Sequence, residues 1–504
     1  MKRSLPAIAF VLILATSADA QTMDMTMDGD MHHPAPEHLG AVDFETSCAP
    51  SVQPAFNRAM ALLHSFAYDA ADQGFADVAA RDPQCAIAHW GRAMTHYHQL
   101  WDVPAGAGLA AGQAEIDKAA AMTTGTPREH ALINALRSYY TDTDHTAPAA
   151  RALLYASAMA NVARDYPKDD EIATIYALSL IATASPADHS HERQKRAADI
   201  LEPIWKRHPD HPGVPHYLIH AYDSAELAQR GLPAARAYAR IAPSAPHALH
   251  MPSHIFTRLG LWEDSIASNI AARNAALAQN DTGEALHAMD YLTYAYLQSG
   301  RTADAAKVVA DLKAMTGLNA TGFKIGYAGN AMPVRLAIET RDWSTAAQLT
   351  PLPGSAPQVA AIVWWARALG KLRAPNPALT AADADIAQLQ ACRDALSAAN
   401  DSYWTAQADA LLRSAQGWRA AAAGHPTEAI SDLTAAADEE DALEKLPLTP
   451  GPIVPAREQL GDLLLTLDKP HEALKAFQGA LTLAPNRLGA TRGAAEAERR
   501  SRVL

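Results

Sequence analysis

Cysteine, basic charge and long apolar runs are all scarce in this 504-residue chain. Lys and Arg number 42 against 55 Asp and Glu, a formal charge of −13, which excludes a nucleic-acid-binding surface because such a surface must be basic. Alternating β-branched runs are almost missing, which sets aside a sheet-based fold. Beyond the first twenty residues no segment approaches the about 20 apolar residues that a membrane span needs. There is no nucleophile elbow, no phosphate-binding glycine loop and no H-E-x-x-H sequence. Three cysteines leave room for one disulfide. Cys48 and Cys85 lie near the start and Cys392 stands alone. A Cys48–Cys85 bond in an oxidising compartment and three buried thiols are both compatible with the spacing.

What is present begins with a basic start, Met1-Lys2-Arg3, an apolar run from Ala7 to Ala15, and Ala18-Asp19-Ala20. This reads as a cleavable secretory signal over residues 1–20, with a retained amphipathic anchor as the alternative. The mature chain is expected to start at Gln21, in the periplasm or outside the cell. Residues 21–42 are polar and lack periodicity, so a disordered tail is expected there. That tail holds Met23, Met25, Met27, Met31, His32 and His33. Thioether and imidazole together suit copper, Cu(I) above all, although a functionless solvated linker has the same composition.

The rest is Ala- and Leu-rich, punctuated by Gly and Pro, and predicts helices throughout. It also repeats. Near the end, Gly461 is followed by Ala473, Phe477, Ala480 and Pro485. Small residues let two helices touch, an aromatic plugs the gap between them, and Pro ends the second. Ala71, Phe75, Val78 and Pro83 repeat the second half of that unit. So do Ala197, Leu201, Ile204 and Pro209, and then Gly231, Ala235, Tyr238 and Pro243, spaced by 34 residues throughout. Ser265, Asn269 and Ala272 continue more loosely, and Ala305, Val309 and Leu312 follow a six-residue insertion.

These units resemble the tetratricopeptide repeat (TPR). Together with the segments H-Y-x-x-H-A-Y and H-M-P-S-H-I-F-x-R-x-G, the chain is similar to exported bacterial proteins of that family. The resemblance implies an all-α superhelix of helical hairpins, an α-solenoid, whose concave side holds a protein or peptide partner. On this reading residues 43–210 are N-terminal helical repeats and 211–320 are the units carrying a histidine cluster. Residues 321–445 are further hairpins, and 446–504 are a C-terminal unit and tail. Pro203 and Pro252 depart from the family pattern and are expected to kink or restart their helices, which bears directly on His250.

Histidine is abundant, at 21. His216 and His220 are four apart, as are His250 and His254, so each pair shares one helical face. The second pair follows the first by 34 residues, the repeat period. Two such pairs on neighbouring helices place four imidazoles where one transition-metal ion, zinc or copper, is expected. Binding should then weaken below about pH 6.5, where free imidazole protonates. The resemblance further implies a concave groove lined by these four with His247, His287, Asp290 and Tyr294, and with Arg258 and Asp223 one turn further along. Three readings follow: a scaffold whose groove holds a metal ion, a metalloenzyme with three His and an open coordination position, and a metal-free adaptor for a partner. His64, His89, His96 and His98 read as packing and surface residues.

Overall fold

The computed structural model describes residues 37–100 and 103–502. The expected signal segment and the methionines and histidines at 23–33 lie outside the described residues. Among the described residues there are twenty-four helices and no strand.

Local chemistry explains where many of them start. Thr126 and Glu129 form a reciprocal capping box ahead of Pro127–Tyr140. Asp169 and Asp281 each accept a backbone N–H in the first turn of the helix that follows them. Consecutive helices then pack as hairpins, such as Gln53–His64 on Tyr68–Arg81 and Ser402–Ala422 on Pro426–Asp441, and the first helices of successive hairpins stack. The result is an all-α solenoid of tetratricopeptide-like units. The small-residue and aromatic pairing behaves as the repeat requires. A Cβ at Gly461 would lie 2.7 Å from the ring of Phe477, and one at Gly91 would lie 2.6 Å from that of Phe75. No described helix is long and apolar enough to cross a membrane.

Three features depart from the simple repeat. Pro203 stays within the helix Glu192–Arg207. Pro252 divides its helix into Pro246–His250 and Pro252–Arg258, but Met251 between them keeps helical angles (φ −52°, ψ −36°), so the turn is carried across. The expected tail ends before residue 42. Leu39 is buried in the core, Ser244 N–H donates to His38 O, and Ala41 N–H donates to Asp210 O at 2.9 Å.

The C-terminal unit folds back on the middle of the chain. Arg487, wholly buried, binds Glu458, Glu339 and the hydroxyl of Tyr294. Trp262 Nε1 donates to Asn486 O at 3.0 Å. The segment 442–455, just ahead of that unit, thereby comes to lie over the helices that carry the histidines.

Candidate metal centre

Four helical segments bring six histidines together: Gly213–Tyr222, Pro246–His250, Pro252–Arg258 and Thr282–Gln298. The i, i+4 pairs face inward as expected. His250 Nε2 lies 3.0 Å from His254 Nε2, and His216 Nε2 lies 3.1 Å from His220 Nε2. The four do not form one site. Each pair takes its third member from the next helix of the solenoid. His216 and His220 join His247, and His250 and His254 join His287. Within each trio the ligand nitrogens all lie within 4.8 Å of one another. The trios adjoin, with ring centroids of His220 and His254 6.0 Å apart and those of His247 and His250 6.1 Å apart.

The outer nitrogens decide which tautomer each ring adopts. His250 Nδ1 meets Asn269 Oδ1 at 2.7 Å, and Asn269 Nδ2 donates to Ser265 O, which fixes the amide's orientation. His254 Nδ1 meets Asp223 Oδ2 at 2.9 Å. An amide oxygen and a carboxylate only accept, so both Nδ1 atoms carry protons. The two Nε2 atoms, 3.0 Å apart, therefore present lone pairs to each other. That is repulsive unless a cation lies between them. Two nitrogens about 2.0–2.1 Å from a tetrahedral ion are about 3.3 Å apart, close to the spacing found.

Burial opposes protonation of five of these rings. All six are between 0 and 6 % exposed. Burial, with the neighbouring histidines, pulls His216, His220 and His250 well below the usual imidazole range. His287 is lowered in the same way, mainly by burial, and His254 falls to about 4 despite its bond to Asp223. Burial opposes the ionisation of Asp223, yet Lys445, Arg258 and His254 hold it well below the carboxylate range. Neutral imidazole is the form that binds metal. A histidine held by a carboxylate through its other nitrogen is the arrangement that orients metal ligands.

A third histidine cluster serves as contrast. His64 Nε2 and His211 Nε2 both meet the Glu171 carboxylate, at 3.1 and 2.9 Å. His211 Nδ1 accepts from Gly213 N–H and His64 Nδ1 pairs with Tyr217. Every nitrogen there is matched, so this cluster is a hydrogen-bonded support. It reaches the centre through His64 O, which accepts from His216 Nδ1 at 2.6 Å. His64 is thus more than a packing residue.

Of the other expected groove residues, Asp223 and Arg258 stand directly behind the site, and Arg258 Nε donates to Asp223 Oδ1 at 2.9 Å. Asp290 and Tyr294 do not join the site. Asp290 pairs with the buried Arg335 at 3.2 Å. Tyr294 contacts Arg487 and lines a cavity of about 150 Å³ with Tyr327, Trp365 and Trp404, which Arg258, Glu444 and Lys445 also line but none of the six histidines does. Asp290 and Tyr294 lie about one and two turns further along the helix from His287, past the other histidines, and Tyr291 takes the position against His254, with centroids 4.9 Å apart.

The groove is also not open, contrary to the expectation. Lys445 Nζ lies 2.8 Å from Asp223, Glu444 pairs with Arg258 at 3.0 Å, and Thr449 O accepts from Tyr291 at 2.9 Å. From the other side Phe66 covers the first trio, its ring 4.3 Å from that of His216 and 5.6 Å from that of His247.

No protein-family model matches this sequence, and no curated protein matches it. Solved structures with a similar course include the human IFIT1 dimer with m7Gppp-AAAA, at 11% identity and a TM-score of 0.38, covering 82% of this chain and 90% of that one. The APC/C hetero-tetramer Cut9–Hcn1 matches at 12% identity and 0.37, covering 88% and 76%. The TPR domain of P58(IPK) matches at 12% identity and 0.23, covering 90% and 99%. Nothing about the histidine centre follows from them.

Proposed function

We propose that the protein is an exported tetratricopeptide-like scaffold that holds a transition-metal ion, zinc or copper, on His250, His254 and His287. The observation that carries this is the approach of two Nε2 lone pairs to 3.0 Å when both Nδ1 atoms are committed as donors. The Cys48–Cys85 bond, with Cα atoms 4.9 Å apart, supports export, since such bonds persist in oxidising compartments. Because the chain covers its own histidine face, a peptide or protein partner is assigned to the outer surface of the solenoid.

The alternative within the same site is a metalloenzyme, favoured by three ligands with no fourth His, Cys, Asp or Glu joining the trio among the described residues. The test is metal content and calorimetric titration of untagged full-length protein against His250→Ala and His254→Ala. Each variant should bind one ion fewer than the wild type, so metal held by the N-terminal methionines and histidines cancels in the difference. The exposed His145→Ala should match the wild type. Equal metal content in wild type and both variants would leave His254 as a protonated partner of Asp223 and end the metal reading.

A further inference from the structure

We propose that the centre takes two copper ions, loaded in the cuprous state, one on each trio of histidines. This rests on the metal reading above and extends it in number and oxidation state.

The trio of His216, His220 and His247 also has two rings whose Nδ1 meets an acceptor. His216 Nδ1 donates to His64 O at 2.6 Å, so its Nε2 presents a lone pair. That lone pair faces His220 Nε2 at 3.1 Å. His247 Nδ1 meets Glu284 Oε2 at 3.2 Å, which commits that nitrogen as the donor and makes Nε2 the nitrogen with a lone pair. Each trio therefore has one member held by a carboxylate, His254 by Asp223 and His247 by Glu284. The repeat explains the duplication. His247 follows His216 by 31 residues and His287 follows His250 by 37, the six extra being the insertion before the helix Thr282–Gln298. The same architectural unit has been laid down twice.

Charge selects the oxidation state. Imidazole binds metal as a neutral ligand, and both carboxylates are already matched, Asp223 by Lys445 and Arg258 and Glu284 by Lys324. The protein thus supplies almost no net negative charge at the centre. Two divalent ions at a given spacing repel four times as strongly as two monovalent ions. Zinc also calls for a fourth donor, whereas three imidazoles complete a trigonal cuprous ion, and imidazole is a suitable copper ligand. Phe66 closes the first trio with an aromatic ring rather than a donor. It holds φ at +54°, a left-handed conformation that a bulky residue rarely adopts, so the chain accepts backbone strain at this point.

The experiment is anaerobic titration of full-length protein with Cu(I) against a chromophoric chelator, with Zn²⁺ titrated in parallel. His247→Ala and His287→Ala should each lose one Cu(I) relative to the wild type, and the double variant should lose two. Circular dichroism melts establish that each variant is folded, and the wild-type Cu(I)/Zn²⁺ comparison does not depend on the variants. A loss of one ion from the double variant means a single shared site and overturns the proposal while leaving the metal reading intact. Tighter binding of two Zn²⁺ than of Cu(I) overturns the assignment of oxidation state. No loss of metal from any variant overturns both readings.

Discussion

Asp223, just past the helix Gly213–Tyr222, and His254, in the next repeat, meet through Oδ2 and Nδ1 at 2.9 Å, and the same carboxylate receives Arg258 and Lys445. The residue that orients His254, a proposed metal ligand, is thus itself oriented by two cations. Asp223→Asn keeps the acceptor but removes its charge. Metal affinity should fall about 10- to 100-fold while stoichiometry is unchanged. Competition titration measures this, and an unchanged affinity would show that Asp223 is there only to neutralise Arg258 and Lys445.

Acid should act on the apo protein and on metal binding at different pH values. In the unfolded chain imidazole titrates near about 6.5. In the fold, burial lowers His216, His220, His250 and His287 well below that and His254 to about 4. Below about 6.5 the unfolded state takes up protons that the folded state refuses. Apo stability should therefore be full above about pH 6.5 and decline towards pH 4. Bound metal should survive below 6.5, lower than free imidazole alone predicts. Melting temperatures with and without metal from pH 4 to 8 would show both trends.

The covering segment should govern exchange rates. Glu444→Ala and Lys445→Met each remove one tie between residues 442–451 and the Asp223–Arg258 pair. Metal release to an excess of chelator should speed up several-fold with little change in stoichiometry. Release at the wild-type rate would mean that ions leave by another route, for example past Phe66.

The Cys48–Cys85 bond closes a loop with a sequence separation of 37, for which chain entropy predicts about 4 kcal/mol of stabilisation. Thiol counting under denaturing, non-reducing conditions should find Cys392 alone, and reduction should lower the melting temperature of the N-terminal repeats first. Three titratable thiols in protein from the native host would contradict both the bond and export.

Asn269 allows stability to be separated from function. It is wholly buried and fixes the His250 tautomer, yet it stands where equivalent units carry Phe75, Leu201, Ala235 or Phe477. Asn269→Leu should hold or raise the melting temperature and weaken metal binding by at least tenfold, because a buried apolar plug suits the repeat and His250 loses its acceptor. Equal loss of both would make Asn269 a packing residue.

The residue that loosened the repeat pattern was therefore the visible mark of the site. Periodicity also made the fold and the inward faces of His216, His220, His250 and His254 legible, because hairpin packing is local and repeats every 34 residues. The family resemblance, not the period, implied that His247 and His287 lie nearby. Grouping the six correctly needed the lateral offset between neighbouring helices, which a one-dimensional period does not contain. The resemblance put Asp290 and Tyr294 in the same groove, but they lie about one and two turns beyond His287, where Arg335 and Arg487 meet them. His64, Glu284, Phe66 and the 442–451 segment gave no local signal at all, since each acts across long sequence separations.

The order in which the chain is made gives the roof a last consequence. All six histidines are synthesised well before residues 442–451, and the C-terminal unit that anchors that segment comes later still. Until then the nitrogens face the surroundings, and afterwards they are sealed. On the proposed metal reading, the choice of ion would thus be made while folding is incomplete, by whatever the compartment offers at that moment. A finished protein of that kind would keep a record of where it folded, and purified samples from different hosts should carry different contents for as long as the roof stays shut.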